Sequence, residues 1–359
     1  MSPVGWKKVA VLALLAVHGV VTETLPSTIQ DGEQGTCSVD DAGALSCKRP
    51  SRPLSLLVGV GCKPKKLEYV SKAKNSNTAK NCGEDAYYVV GDASAHRYAS
   101  VGVADGVGGW QESGVDPSAF SLALVDGAKE SFFRVVSSND QPHPRAMLED
   151  ALVHVKSGGD KNPGGSTAVF LVLDRYSGAL ETANLGDSGY LVIRNGAKHF
   201  RSVEQTWAFN APFQLSLYPT WMRGEGDHYL PKDAFVTTHT LQHGDIVIVG
   251  SDGLFDNVFD DEILAEADKF VGRVLLAHPE FATVDEEKPL QPDAAAAVKK
   301  AMMDLSYSLT LMANAFAHDK TRESPFSKLA REGYGYTFHG GKVDDTTVVA
   351  VYVHTQARE

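Results

Sequence analysis

Aspartates recur in this 359-residue sequence wherever an apolar run stops beside a glycine. The fragments are Gly83-Glu84-Asp85-Ala86, Val103-Ala104-Asp105-Gly106-Val107-Gly108-Gly109, Asn184-Leu185-Gly186-Asp187-Ser188, Val249-Gly250-Ser251-Asp252-Gly253-Leu254-Phe255-Asp256 and, less strictly, Asp344-Asp345-Thr346-Thr347. A strand end holds a carboxylate rigidly at the rim of a sheet, and a following glycine lets backbone approach a ligand closely. Rims of this kind that converge would form an oxygen-only cage, which suits Mg²⁺ or Mn²⁺ and not zinc or copper. Alone, each fragment reads as an ordinary turn, because Asp-Gly is a common hairpin pair. Asp187 after Gly186 is read here as a structural turn. Five fragments in this order are a different matter, and the combination points to a carboxylate site.

The elements that must position these carboxylates are visible as patterns. Strand-like runs with turn residues at their ends span Tyr87 to Val90, Tyr98 to Ala104, Ser166 to Leu173, Leu180 to Asn184, Gly189 to Arg194, Asp245 to Gly250 and Thr346 to His354. Their incomplete alternation predicts strands covered on both faces. Helical spacing falls between them, over Ala119 to Val136 behind an Asp116-Pro117-Ser118 start, Ala146 to Val155, Asp260 to Leu276 and Asp293 to Ala317. Strands in groups and helices in separate blocks predict an α+β fold.

Together these motifs resemble the type 2C, PPM-type, metal-dependent serine/threonine protein phosphatases. The likeness runs from about Leu54 to His354 through Glu84-Asp85, Asp105-Gly106-Val107-Gly108-Gly109, Gly165-Ser166-Thr167-Ala168, Gly186-Asp187-Ser188, Ser251-Asp252-Gly253 and Asp344-Asp345-x-Thr347. Val115-Asp116-Pro117-Ser118, Phe209 to Leu215, Ser324-Pro325-Phe326 and Gly340-Gly341-Lys342 are similar to the eukaryotic branch whose best-known members are mitochondrial. The resemblance implies a four-layer α-β-β-α sandwich of two antiparallel sheets flanked by helices, with a two-ion Mn²⁺ or Mg²⁺ site at one end. By position, Asp105 resembles the aspartate bridging both ions and Gly106 the carbonyl ligand. Asp252 and Asp344 match the ligands completing one shell, and Glu84 and Asp85 the carboxylates of the other. Asp256 falls where some members bind a third ion. The implied reaction is hydrolysis of phosphoserine and phosphothreonine in proteins by a water or hydroxide between the ions. Paired divalent ions about 3.5–4 Å apart supply both that nucleophile and charge compensation for the phosphoryl group.

Several positions depart from the family pattern. Lys80 stands in place of the usual phosphate-gripping arginine, keeping the charge and losing the bidentate fork. Val107 stands where many animal members have histidine. Asn162, with Asp160 nearby, replaces the third-ion aspartate expected before Gly165, so two ions are expected here. Asp345 replaces a common asparagine and is read as a support for the ligands. The insert from Leu215 to Lys232 has the makings of a substrate-selecting flap, and Trp110, Trp207 and Trp221 read as core or flap packing. An inactive phosphoprotein-binding relative, or a phosphatase of a small metabolite, are the alternatives.

Composition sets the outer limits. Lys plus Arg number 34 and Asp plus Glu 45, a net charge of −11, which argues against nucleic-acid binding through a basic face. There is no Cys-x5-Arg loop, HExxH pair or glycine-rich nucleotide loop. Cys37 and Cys47 would close a short loop in an oxidising compartment, with free thiols as the alternative. Residues 1–23 hold Lys7, Lys8 and an apolar run from Val9 to Val21, read as a signal peptide or signal anchor; membrane contact is expected only if it is retained. Residues 24–53 read as a linker and 54–356 as the phosphatase domain. The segment thus predicts a secretory or endomembrane location, against the mitochondrial one that the resemblance suggests.

Overall fold

The computed structural model describes residues 36–39, 45–48, 53–65, 82–91, 96–222, 229–279 and 292–355. Two five-stranded antiparallel sheets carry the fold. One has the order β14 (Phe235–Thr240), β8 (Ala179–Leu185), β7 (Ala168–Asp174), β5 (Tyr98–Asp105), β4 (Asp85–Val90). The other has the order β10 (Ala197–Arg201), β9 (Gly189–Arg194), β15 (Ile246–Gly250), β16 (Thr346–Thr355), β3 (Leu54–Lys63). Helices α1 (Pro117–Ser137) and α2 (Pro144–Ser157) cover the outer face of the first sheet. Helices α4 (Asp260–Ala277) and α5 (Pro292–His318) cover that of the second.

The layering explains why the strands do not alternate apolar with polar. On β7, Val169, Leu171 and Leu173 enter the core between the sheets, while Ala168, Phe170 and Val172 face α1 and α2. On β15, Val247 and Val249 point inward, while Ile246 and Ile248 meet the other helix layer. Both faces of each strand are dry, so both must be apolar. The α1 start follows its sequence: Asp116 is the N-cap, accepting from the Ser118 amide at 3.0 Å, and Pro117 occupies the first turn.

The four long helices and seven strand runs expected from sequence are all present, most with ends shifted by one or two residues. The run Ser166 to Leu173 divides instead into β6 (Gly164–Ser166) and β7, separated by Thr167. Sequence reading missed β3, β10, β14, the short β11 (Thr206–Ala208), β12 (Ala211–Pro212) and β13 (Leu215–Leu217), and the helices α3 (Asp252–Phe255) and α6 (Pro325–Tyr334). β14 and β10 are edge strands exposed along much of their length, so they lack a buried apolar signature. A hairpin, β1 (Thr36–Val39) with β2 (Leu45–Lys48), lies inside the stretch expected as linker and sets Cys37 opposite Cys47 in Cα register. The apolar segment of residues 9–21 lies outside the described residues.

A disulfide with no signature in the sequence joins Cys62, at the end of β3, to Cys82, just before β4, with Cα atoms 5.2 Å apart. β3 and β4 are edge strands of different sheets, so the bond ties the two sheets at one margin. It closes a loop of sequence separation 20, for which the restriction of the unfolded chain contributes about 3 kcal/mol. A Cys62→Ser/Cys82→Ser protein is therefore expected to lose about 3 kcal/mol in denaturant titration. An unchanged midpoint would place the stabilisation elsewhere.

Candidate active site

Antiparallel order brings alternating strand starts and ends to one edge of the sandwich. There β4 begins at Asp85, directly opposite Asp105 at the end of β5. β8 ends at Leu185 and β9 begins at Gly189, framing Asp187 between the sheets. β15 ends at Gly250, paired with Val348 near the start of β16, so Asp252 and Asp344 arrive side by side. All the carboxylates singled out by sequence thus gather at one rim, although Glu84 and Asp345 are 261 positions apart.

Backbone and small polar groups hold this rim in shape. Thr167 anchors Asp105 through the backbone: the Asp105 amide donates to Thr167 Oγ1 at 3.2 Å, and the Thr167 amide donates to the Asp105 carbonyl at 2.9 Å. The Gly106 amide donates to the Glu84 carbonyl at 3.1 Å, and Ser121 Oγ donates to the same oxygen at 2.6 Å. Ser251 Oγ donates to Asp85 Oδ2 at 2.7 Å while accepting from the Thr347 amide at 3.0 Å, linking β4, β15 and β16. Asp345 is an organiser of backbone, accepting from the Lys65 amide at 2.7 Å and the Glu84 amide at 3.0 Å. A Cβ on Gly253 would stand 1.9 Å from the Asp345 carbonyl oxygen, so only glycine permits α3 to pack against this segment.

Two lysines enter the carboxylate cluster. Lys65 Nζ donates to Glu84 Oε2 at 2.8 Å and to Asp344 Oδ1 at 2.9 Å. Lys342 Nζ pairs with Asp252 Oδ2, with Asp256 Oδ2 at 2.9 Å and with Asp344 Oδ2 at 3.4 Å. Gln111 Nε2 donates to the other Glu84 oxygen. Neither lysine is assigned a role by sequence, since Lys65 reaches Asp345 across 280 positions and Lys342 reaches Asp252 across 90. Lys80, the expected phosphate-gripping cation, lies outside the described residues.

Burial dominates the electrostatics. It pushes the carboxyls of Glu84, Asp85, Asp105 and Asp187 above the usual range, and like charges nearby add to the shift. Burial also raises Asp256 to about 7 against the pull of Lys342. Asp344 goes the other way, because Lys342 and Lys65 together overcome its burial and lower it. Both ammonium groups are raised, the surrounding carboxylates outweighing desolvation.

Asp187 does more than make a turn. Gly186 takes φ 100° and the aspartate that follows is buried with Oδ1 unpartnered, its charge felt most by Asp252, Lys342 and Asp256. Asp252 Oδ1 is likewise buried without a partner. Orphaned carboxylate oxygens in an all-oxygen donor set fit a hard divalent cation. Among the described residues no three His, Cys, Asp or Glu side chains are pre-arranged around one point as ion ligands. The lysine ammonium groups stand between the carboxylates instead.

Beside this rim lies a cavity of about 370 Å³ lined by Val107, Gly109, Trp110, Gln214, Tyr218 and Met222, among others. Trp110 is buried as expected, donating from Nε1 to Gln214 Oε1 at 2.8 Å and stacking edge-on against Tyr218. Trp207 and Trp221 are 67% and 65% exposed, so neither is core. The base of the expected flap is anchored by β13 pairing with β6, while residues 223–228 within it lie outside the described residues. Asp160 accepts from the amide and hydroxyl of Thr220.

The chain is 38% identical over 272 residues to the human protein phosphatase PTC7 homolog, covering 74% of this chain and 78% of that protein. The chain belongs to the type 2C, PPM-type protein phosphatases. No protein-family model matches it. Another similar protein, the 5-azacytidine resistance protein azr1 of Schizosaccharomyces pombe, is 36% identical over 279 residues, 78% of this chain and 84% of that one. Among solved structures, the photosystem II phosphatase PBCP is similar at 27% identity and a TM-score of 0.61, covering 83% of this chain and 98% of PBCP. The sandwich is therefore that of a type 2C phosphatase, with its carboxylate rim at the end where the sequence motifs meet.

Proposed function

We propose that this phosphatase hydrolyses phosphoserine and phosphothreonine in protein substrates with two Mn²⁺ or Mg²⁺ ions held by Asp105, the Gly106 carbonyl, Asp252, Asp344, Glu84 and Asp85. The observation that carries this reading is the gathering of those carboxylates at one sandwich rim, with Asp252 Oδ1 buried and unpartnered. Bound there, divalent ions supply charge compensation for the phosphoryl group and lower the pKa of water. The chain's own residues do the positioning. Thr167 and Ser251 fix Asp105 and Asp85, Gln111 orients Glu84, and Asp345 holds the backbone of both Lys65 and Glu84. Val107, next to Gly106, carries no proton for a leaving group. Lys80 is proposed to grip the substrate phosphate, and the cavity beside Trp110 to receive the peptide around it.

The test is phosphate release from phosphoserine and phosphothreonine peptides with Mn²⁺ and with EDTA, in competition with sugar phosphates. Metal-dependent release from the peptides, lost in Asp252→Asn, is the expected outcome. Preference for the sugar phosphates, or full activity of Asp252→Asn, would overturn the assignment.

For location, we infer a secretory or endomembrane route. The apolar segment of residues 9–21 supports it, as does the Cys62–Cys82 disulfide, since such bonds persist mainly in oxidising compartments. Imaging the full-length chain against ER and mitochondrial markers tests this, and exclusive mitochondrial signal would refute it.

A further inference from the structure

Lys342 is held from behind. Its amide donates to Asn257 Oδ1 at 2.9 Å, and Asn257 Nδ2 donates back to the Lys342 carbonyl at 2.8 Å and to the Gly253 carbonyl at 2.9 Å. The preceding glycines are locked as well. The Gly341 amide donates to the Asp319 carbonyl at 3.1 Å, and a Cβ there would lie 2.2 Å from the Phe316 carbonyl oxygen. Ser324 Oγ fixes the Gly340 carbonyl at 2.8 Å. The Lys342 backbone is therefore held by the Asn257 side chain, and the glycines before it by Asp319 and Ser324, through contacts that owe nothing to charge, and its side chain is only 15% exposed.

What it is aimed at is the far side of the carboxylate cluster. Asp252, Asp256 and Asp344 pair with Nζ, and the buried Asp187 adds its field. A buried ionised carboxylate without a counter-charge is costly, so this side calls for a cation whenever its carboxylates are charged. A tethered ammonium meets that need permanently at Asp256.

We propose that Lys342 is a built-in cation occupying the position beside Asp256 and the Oδ2 side of Asp252, so that this phosphatase takes two divalent ions and excludes a third. Asp256 is then a partner of lysine in place of a metal ligand. Lys342 acts on the ions through Asp252 and Asp344, which makes it a positioning residue. The inference rests on the metal-dependent reading above and deepens it.

Ion counting and melting test it together. Equilibrium dialysis against Mn²⁺ is expected to give two bound ions for the wild type and for Lys342→Arg. Lys342→Met is expected to take one more, weaker ion, and to lose it again in Lys342→Met/Asp256→Asn. After EDTA treatment, Lys342→Met should melt lower than wild type, with much of the loss recovered by adding Asp256→Asn, the coupling expected of a direct pair. If Lys342→Met folds only with Mn²⁺ present, the double variant supplies the metal-free comparison. A wild type that takes three ions, or a Lys342→Met protein that matches wild type in both ion count and metal-free melting, would overturn the proposal. A wild type that takes no Mn²⁺ sinks the metal-dependent reading alone, and the metal-free melting comparison still decides whether Lys342 is the counter-ion.

Discussion

Asp105→Asn is expected to lower kcat on the order of 10³-fold, about 4 kcal/mol in the barrier, while raising the melting temperature of the metal-free protein. The two effects have one origin. The Asp105 carboxylate is buried, with Asp85, Asp252, Asp344 and Asp187 as like-charged neighbours, and its pKa is pushed well up. Ionising it at neutral pH therefore costs folding free energy, which the proposed divalent ions would offset. Asparagine removes the charge without disturbing the anchor, because both contacts to Thr167 that fix this position use the Asp105 backbone. Relief of the repulsion is expected to stabilise the metal-free variant by about 1–2 kcal/mol, the usual scale of a stability gain taken at a functional site. Single-turnover phosphate release and thermal melting in EDTA measure the two halves. Near-normal kcat, or a metal-free variant less stable than wild type, would remove Asp105 from the centre of the site.

The metal-free protein is expected to lose stability as pH rises from about 4 to 7, against the usual trend for carboxylates. Asp256 has its pKa raised from 3.8 to about 7 by burial first, with Asp252 and Glu204 contributing. In that window the native state holds a proton that the unfolded chain has released, so raising the pH favours unfolding. A shift of this size corresponds to about 4 kcal/mol. Glu84, Asp85, Asp105, Asp187 and Asp345 are shifted in the same direction. Asp344 is shifted the opposite way, so its contribution is present above the ordinary aspartate value and lost only under more acid conditions. EDTA-treated protein should therefore melt roughly 5–10 °C lower at pH 7.5 than at pH 5, and Mn²⁺ should abolish the difference. A flat or rising profile without metal would contradict the crowding of these carboxylates.

The strands and helices were legible because their cause is local. Dry faces on both sides make β7 and β15 continuous apolar runs, and an Asp-Pro start announces α1. The acidic residues of the rim were legible too, since an aspartate beside glycine at the end of an apolar run marks a sheet rim wherever the strand lies. The net charge of −11, read first as a bar to nucleic acid, proved compatible with a phosphate substrate once the acids were seen to gather at one rim, where divalent ions would offset them.

Residue order along the chain carries no comparable signal for what crosses between the two sheets. The Cys62–Cys82 bond joins edge strands of different sheets across a segment without a recognisable pattern. Asp187 looked like a turn because its neighbours Asp252 and Asp256 reach it only when β8, β9 and β15 end at the same rim. Lys65 lies 279 positions from Asp344, and Lys342, although only two residues before Asp344, lies 90 from Asp252, so the sequence does not say that either ammonium would be buried among acids from several strand ends. Sequence alone thus determined which residues this protein can offer to a cation, through patterns set by burial and backbone conformation. Only the tertiary structure decided which charges face one another, because long-range electrostatics depends on distances that the closing of the sandwich creates.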